Sequence, residues 1–175
     1  MPVLEIRQIG DPVLRTPATE VPQIDERIRK LVQDMYETNE NAGGIGIAAP
    51  QVGISLRIFT WDVEGSRGAV INPQLELAGE PGFVPRPRDE EPDAVLREGC
   101  LSVPGQIYGP APRYPEATLT GLSPDGSPLH LAATGLLAAC FQHELDHLDG
   151  KLFLDRLTGE HKKQAFRALR NGAAV

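Results

Sequence analysis

Gln142-His143-Glu144-Leu145-Asp146-His147-Leu148 is the stretch from which the rest of the chain can be read. Apolar residues recur around it at helical spacing, at Leu136, Leu137, Cys140, Phe141, Leu145 and Leu148, so a helix with one buried face is expected. Side chains four apart on a helix lie one turn above each other, which points His143 and His147 the same way. Two imidazoles so placed can grip one metal ion, and Glu144 beside them is a candidate proton acceptor. The plainer alternative is a surface helix with two solvated histidines. The chain has four histidines in all, however, and two of them fall in one turn around a glutamate, which favours metal binding.

The helix should start near Thr134, a possible N-cap, and stop at Gly150. Before it, Ala117 to Leu122 and Leu129 to Ala132 flank Ser123-Pro124-Asp125-Gly126 and read as a hairpin. After it, Thr158 could cap a last amphipathic helix bearing Ala165, Phe166 and Leu169. Nearer the N-terminus, Leu56 to Val63 and Ala69 to Ile71 read as strands. Asn72-Pro73 is expected to be a turn, with Gln74 to Leu77 continuing the sheet beyond it. Asp25 should cap a first helix whose stripe is Ile28, Leu31, Val32 and Met35, and residues 1–22 read as an irregular arm. The segment 79–93 holds four prolines, five acids and two arginines, the composition of a solvated loop. The fold class is therefore α+β, with antiparallel or mixed sheets packed around a central metal-binding helix and a helix towards each terminus. The 175 residues make one domain, 1–175.

Hydrophobic content of 41% and charged content of 23% are those of a globular protein. A net charge of −7 argues against a surface devoted to nucleic acid, although residues from Lys151 onward carry +4 against −11 for the rest. Cys100 and Cys140 make no disulfide framework, and Glu5, Arg7, Asp11 and Arg15 interrupt anything like a signal peptide. No apolar run is long enough to span a bilayer. The expectation is a cytoplasmic protein without a membrane partner, monomeric by default.

A catalytic metal site has three protein ligands and an open position. An extension of the helix motif to a third histidine is closed, because that position is Phe153. A downstream helix offers only Glu160, too near to fold back, with 28 residues left after His147. A peptidase is thus poorly supplied. Cys100 is the better third ligand, since Gly99 permits a sharp approach and a thiolate binds zinc or ferrous iron strongly. On the residues alone a buried, inert thiol stays open as the alternative. Cys140 should pack as a small hydrophobe near the metal. A structural metal site is a further rival, disfavoured because it has no use for Glu144. The stretch Gly44-Ile45-Gly46-Ile47-Ala48-Ala49-Pro50-Gln51 fails the spacing of a phosphate loop and reads only as a tight strand-to-loop passage.

Three separated stretches, GIGIAAPQ (44–51), EGCLS (98–102) and QHELDHLDGKLF (142–153), resemble in order the signature motifs of bacterial peptide deformylases, and VLEIRQIGDPVLR resembles that family's N-terminal arm. Ile47 stands where the family has Leu, the 79–93 segment is longer than the usual connection, and the last helix is short. The resemblance implies Cys100, His143 and His147 as ligands of one divalent ion, Fe2+ in the first place, with Zn2+, Ni2+ or Co2+ able to substitute. It implies Glu144 as proton acceptor and donor, and the Gln51 amide and Leu101 N–H as donors to the oxyanion. The implied substrate is the N-formyl-Met end of nascent peptides, held as an added strand at Ile45-Gly46. Its methionine would enter a pocket with Leu136, Ala139, Cys140 and His143 on one wall, with Leu136 and Ala139 equally readable as plain core. Glu98 is expected at the rim. Lys162, Lys163, Arg167 and Arg170 are candidates for contact with the ribosome, although a solvated helix face is the commoner meaning of such charges.

Overall fold

A computed structural model describes residues 3–85 and 94–172. The first helix, α1 (Glu26–Asn41), begins where the Asp25 carboxylate accepts the Ile28 N–H at 3.0 Å. Five strands follow, β1 (Gly46–Ala48), β2 (Ile58–Val63), β3 (Ser66–Ala78), β4 (Glu116–Leu122) and β5 (Pro128–Thr134). They form one sheet in chain order, every neighbouring pair antiparallel. The helices α2 (Gly135–Leu148), α3 (Phe153–Arg156) and α4 (Gly159–Gly172) complete the chain. The fold is α+β, as expected, with α2 against one face of the sheet and α1 against the other.

Alternation along the strands distributes the core. On β2 and β3, Phe59, Trp61, Val63 and Val70 turn to the α2 side and pack with Phe141 and Leu148. Ile58, Ala69 and Ile71 turn to the α1 side and meet Val32 and Met35. Trp61 stands edge-on to Phe141 at 5.0 Å between centroids. Burying one such side chain contributes on the order of 1.5–3 kcal/mol, so α2 is fixed by its apolar neighbours and its polar residues are free to be spent on chemistry.

Three local expectations change. Asn72-Pro73 does not turn the chain: β3 runs through it with a bulge between Ile71 and Gln74. Pro73 has no N–H for the ladder, and Asn72 takes φ 52° while its side chain bonds both backbone groups of Val21, at 2.8 and 3.0 Å. Thr134 occupies the N-cap position of α2 without a side-chain bond. Of the acidic segment, Gly82 pairs with Arg113 through backbone bonds of 2.9 and 2.8 Å and Val84 is buried, so its first part is packed; residues 86–93 lie outside the described residues. The N-terminal arm is irregular, as expected, and is tied down as a strap. Its Arg7, Ile9 and Ala18 N–H groups donate to Gln51, Ser102 and Leu148 carbonyls at 2.7, 2.8 and 2.8 Å. Gly150, at φ 70°, lets α2 end against it: a Cβ there would sit 2.9 Å from the Arg15 carbonyl.

Candidate metal centre

The site is assembled from three parts of the chain. The α2 helix supplies His143, Glu144 and His147 from its buried face. The segment at Cys100 is fixed on one side by the Glu98–Gly109 backbone pair (2.8 and 2.9 Å) and on the other by the strap at Ser102. The third part is β1 and the single 3-10 turn after it, Ala49–Val52, which returns Gln51 towards the strand. There Gln51 accepts the Ala48 N–H (2.8 Å) and donates to Ser102 Oγ (3.3 Å) and Cys100 Sγ (3.6 Å).

Cys100 Sγ, His143 and His147 present ligand atoms that all lie within 4.8 Å of one another. Cys100 Sγ is 3.3 Å from His147 Nε2, close to the roughly 3.6 Å expected between a sulfur and a nitrogen on one tetrahedral ion. His143 turns Nδ1 to the Glu98 carboxylate at 2.9 Å. Burial would lower its imidazole, but Cys100 and Glu98 outweigh that and push it well above the usual range. With Nδ1 held by Glu98, it is Nε2 that would exchange its proton for a bound ion. Burial holds His147 well below the usual imidazole range, so it stays neutral, the form that ligates. Burial also pushes the Cys140 thiol up, and it lines the wall as a thiol. One thiolate and two imidazoles suit a borderline divalent ion, so the residues fit one.

Glu144 stands beside this set with its side chain buried and Oε2 without a hydrogen-bond partner among the described residues. Burial pushes its carboxyl up to about 7 against the pull of His143. A carboxyl near neutrality with an open oxygen can take a proton and return it.

Glu98 corrects the expectation of a rim residue. It is 8% exposed and lies beneath His143, with both oxygens taken by Arg113 at 2.7 and 2.8 Å. Burial by itself would raise its carboxyl, but Arg113 and His143 bring it down to about 2. Arg113, 3% exposed, also donates to Asp146 Oδ2 at 2.7 Å, and Arg156 closes the other side of Asp146 at 3.0 and 2.5 Å. This chain of alternating charges under the ligands is absent from the sequence reading. Arg113 follows Pro110-Ala111-Pro112, where a lone arginine looks solvated, and nothing in its neighbours says otherwise.

The other expected residues converge. Ile45, Gly46, Gln51, Leu101, Leu136, Ala139 and Cys140 line one cleft of about 260 Å3 with Cys100, His143 and Glu144. Gly46 is opposite Trp61 while Asp62 donates to the Ile45 carbonyl at 2.8 Å, so Gly46 is in a non-hydrogen-bonded pair. Its own N–H and C=O therefore point to the free edge of β1. A side chain there would crowd the site, because a Cβ would lie 2.6 Å from Glu144 Oε1 and 3.0 Å from Cys140 Sγ.

Residues 3–163 match the model of the family described as polypeptide deformylase. The chain is 47% identical over 170 residues to the peptide deformylase of Acidothermus cellulolyticus, covering 97% of this chain and 87% of that one. It is 46% identical over 188 residues to that of a Mycobacterium species (strain JLS), covering 100% and 92%. Among solved structures, a peptide deformylase from Legionella pneumophila superposes with a TM-score of 0.85 at 34% identity, covering 99% and 96% of the two chains. One from Synechococcus elongatus in complex with actinonin gives 0.83 at 37%, covering 95% and 86%.

Proposed function

The chain belongs to the polypeptide deformylase family and is an enzyme, and from that membership we propose that it hydrolyses the formyl amide of N-terminal formyl-methionine on new polypeptides. The products are formate and a free amino terminus. The observation that carries this reading is the buried, partner-free oxygen of Glu144 beside a Cys-His-His donor set, at the floor of a cleft whose wall is a free strand edge.

Cys100, His143 and His147 would hold one divalent ion, for which Fe2+ is the first choice and Zn2+, Ni2+ or Co2+ are substitutes; when bound, it supplies Lewis acidity and a water acidified towards neutral pH. The residues do the rest. Glu144 takes the proton as water adds to the formyl carbon, and gives it to the amine nitrogen as the C–N bond breaks. Gln51 Nε2 and the Leu101 N–H are the donors to the oxygen on which charge grows. Gly46 bonds the substrate's main chain as an added strand, which reads no sequence. The methionine side chain takes the space beside Leu136, Ala139 and Cys140, and His143 closes its inner end.

Among the described residues no helix is long and apolar enough to cross a membrane. We place the activity in the cytoplasm, in a monomer. The exposed basic face of α4, with Lys162, Lys163, Arg167 and Arg170, is the region for any contact with the ribosome. The test of the main reading is formate release from formyl-Met-Ala-Ser by oxygen-free protein beside Glu144→Ala carrying the same metal. A fall of about 10²–10⁴ in kcat with metal content unchanged is expected. Equal rates would remove Glu144 from the chemistry, and no release by the wild type with any divalent metal would overturn the function.

A further inference from the structure

Among the described residues, charge at the mouth of the cleft is lopsided. Of the carboxylates among the described lining residues, Glu98 and Glu144 are 8% and 3% exposed, and Glu98 is held by Arg113 and His143. Arg97 is the one lysine or arginine in that lining, and it is exposed. Its Nη2 donates to the Tyr108 carbonyl at 3.0 Å, and no acid among the described residues pairs with it. The guanidinium is nevertheless held in place. The antiparallel Glu98–Gly109 backbone pair sets Tyr108 opposite Gly99 and Arg97 opposite Pro110, and the Tyr108 ring lies over Gly99, where a Cβ would come within 2.5 Å of it. Gly43, Gly44 and Ile45, none of them charged, also line the cleft.

An extended peptide along Gly46 turns alternate side chains to the same side. With the methionine side chain in the cleft, the side chain of residue two points away and that of residue three returns, about 7 Å further out. Among the described residues of the rim, the exposed charge available to it is Arg97. We propose that Arg97 is a specificity-determining residue that favours nascent peptides with Asp or Glu at position three. This rests on the deformylase reading and adds to it a preference among substrates.

The contact is exposed, so its effect is small and salt-dependent: about two- to fivefold in kcat/KM at low ionic strength, carried by KM. The net charge of −7 acts on every acidic peptide alike, so the comparison that isolates Arg97 is between variants. The rates to measure are those on formyl-Met-Ala-Glu-amide and formyl-Met-Ala-Lys-amide, for wild type, Arg97→Gln and Arg97→Glu. The wild type should favour Glu, Arg97→Gln should be nearly even, and Arg97→Glu should favour Lys. Moving the charged residue to position two should shrink the discrimination. An active enzyme whose ratio is the same in wild type and Arg97→Glu overturns the proposal alone, as does a preference that follows position two. Formate release from no peptide overturns the deformylase reading and this proposal together.

Discussion

Replacing Arg113 with methionine keeps the length of the side chain and removes a guanidinium that makes three bonds of 2.7–2.8 Å to Glu98 and Asp146. All three residues are 3–8% exposed, so water cannot stand in for what is lost. Breaking a buried pair from one side costs about 3–5 kcal/mol, most of it the uncompensated charge left behind. For a chain of 175 residues, each kcal/mol moves Tm by about 2–4 °C, giving a fall of about 6–20 °C. Thermal unfolding should be followed on protein stripped by chelation, because bound metal adds its own stabilisation. A second readout belongs to the site. Glu98 freed from Arg113 no longer holds Nδ1 of His143 in one place, so metal affinity should fall about 10–100-fold. Arg113→Lys should recover only part of either effect, since an ammonium cannot fork across both Glu98 oxygens. A loss below about 2 °C with metal affinity intact would refute the reasoning and make the buried charges incidental.

Gly46→Ala puts a methyl 2.6 Å from Glu144 Oε1 and 3.0 Å from Cys140 Sγ. Overpacking of that kind costs about 1–3 kcal/mol, and deformylation assays should show a loss larger than the stability change alone explains. Asp155 supplies a pH dependence. Burial raises its carboxyl, but Arg15 and the Leu152 N–H outweigh that and leave it below the usual 3.8. A carboxylate lowered in the folded state contributes stability above the unfolded value and loses it as pH falls below that value. Chemical denaturation of Asp155→Asn between pH 5 and about 2 should therefore show a flatter acid limb than the wild type, and parallel curves would count against the Arg15 contact.

What the sequence discloses follows from how local each signal is. The α2 helix is legible because its apolar residues repeat and its two ligands are four apart. Asp25 is legible as a cap because the bond it makes is three residues away. The hairpin of β4 and β5 declares itself through Ser123-Pro124-Asp125-Gly126. By contrast, Asn72-Pro73 has the composition of a turn, and the strand passes through it only because Val21, 51 residues earlier, supplies partners for the Asn72 side chain. Glu98 has the look of a surface acid until Arg113 is brought to it from 15 residues away. The short helix α3 has no periodicity long enough to announce it. Where partners come from distant segments, residue type alone carries no sign of burial.

The strap also orders events in time. Residues 7–18 leave the ribosome before their partners do, since the carbonyls they bond belong to Gln51, Ser102 and Leu148, and the ligand thiol at Cys100 waits for an imidazole 47 positions later. The β1–β3 portion of the sheet can pair early. The donor set cannot close until α2 and the turn at Gly150 have emerged. A growing chain that has not yet reached α2 therefore lacks the donor set for a metal ion, and the same ordering makes an early stop before α2 a product without activity rather than a weakened enzyme.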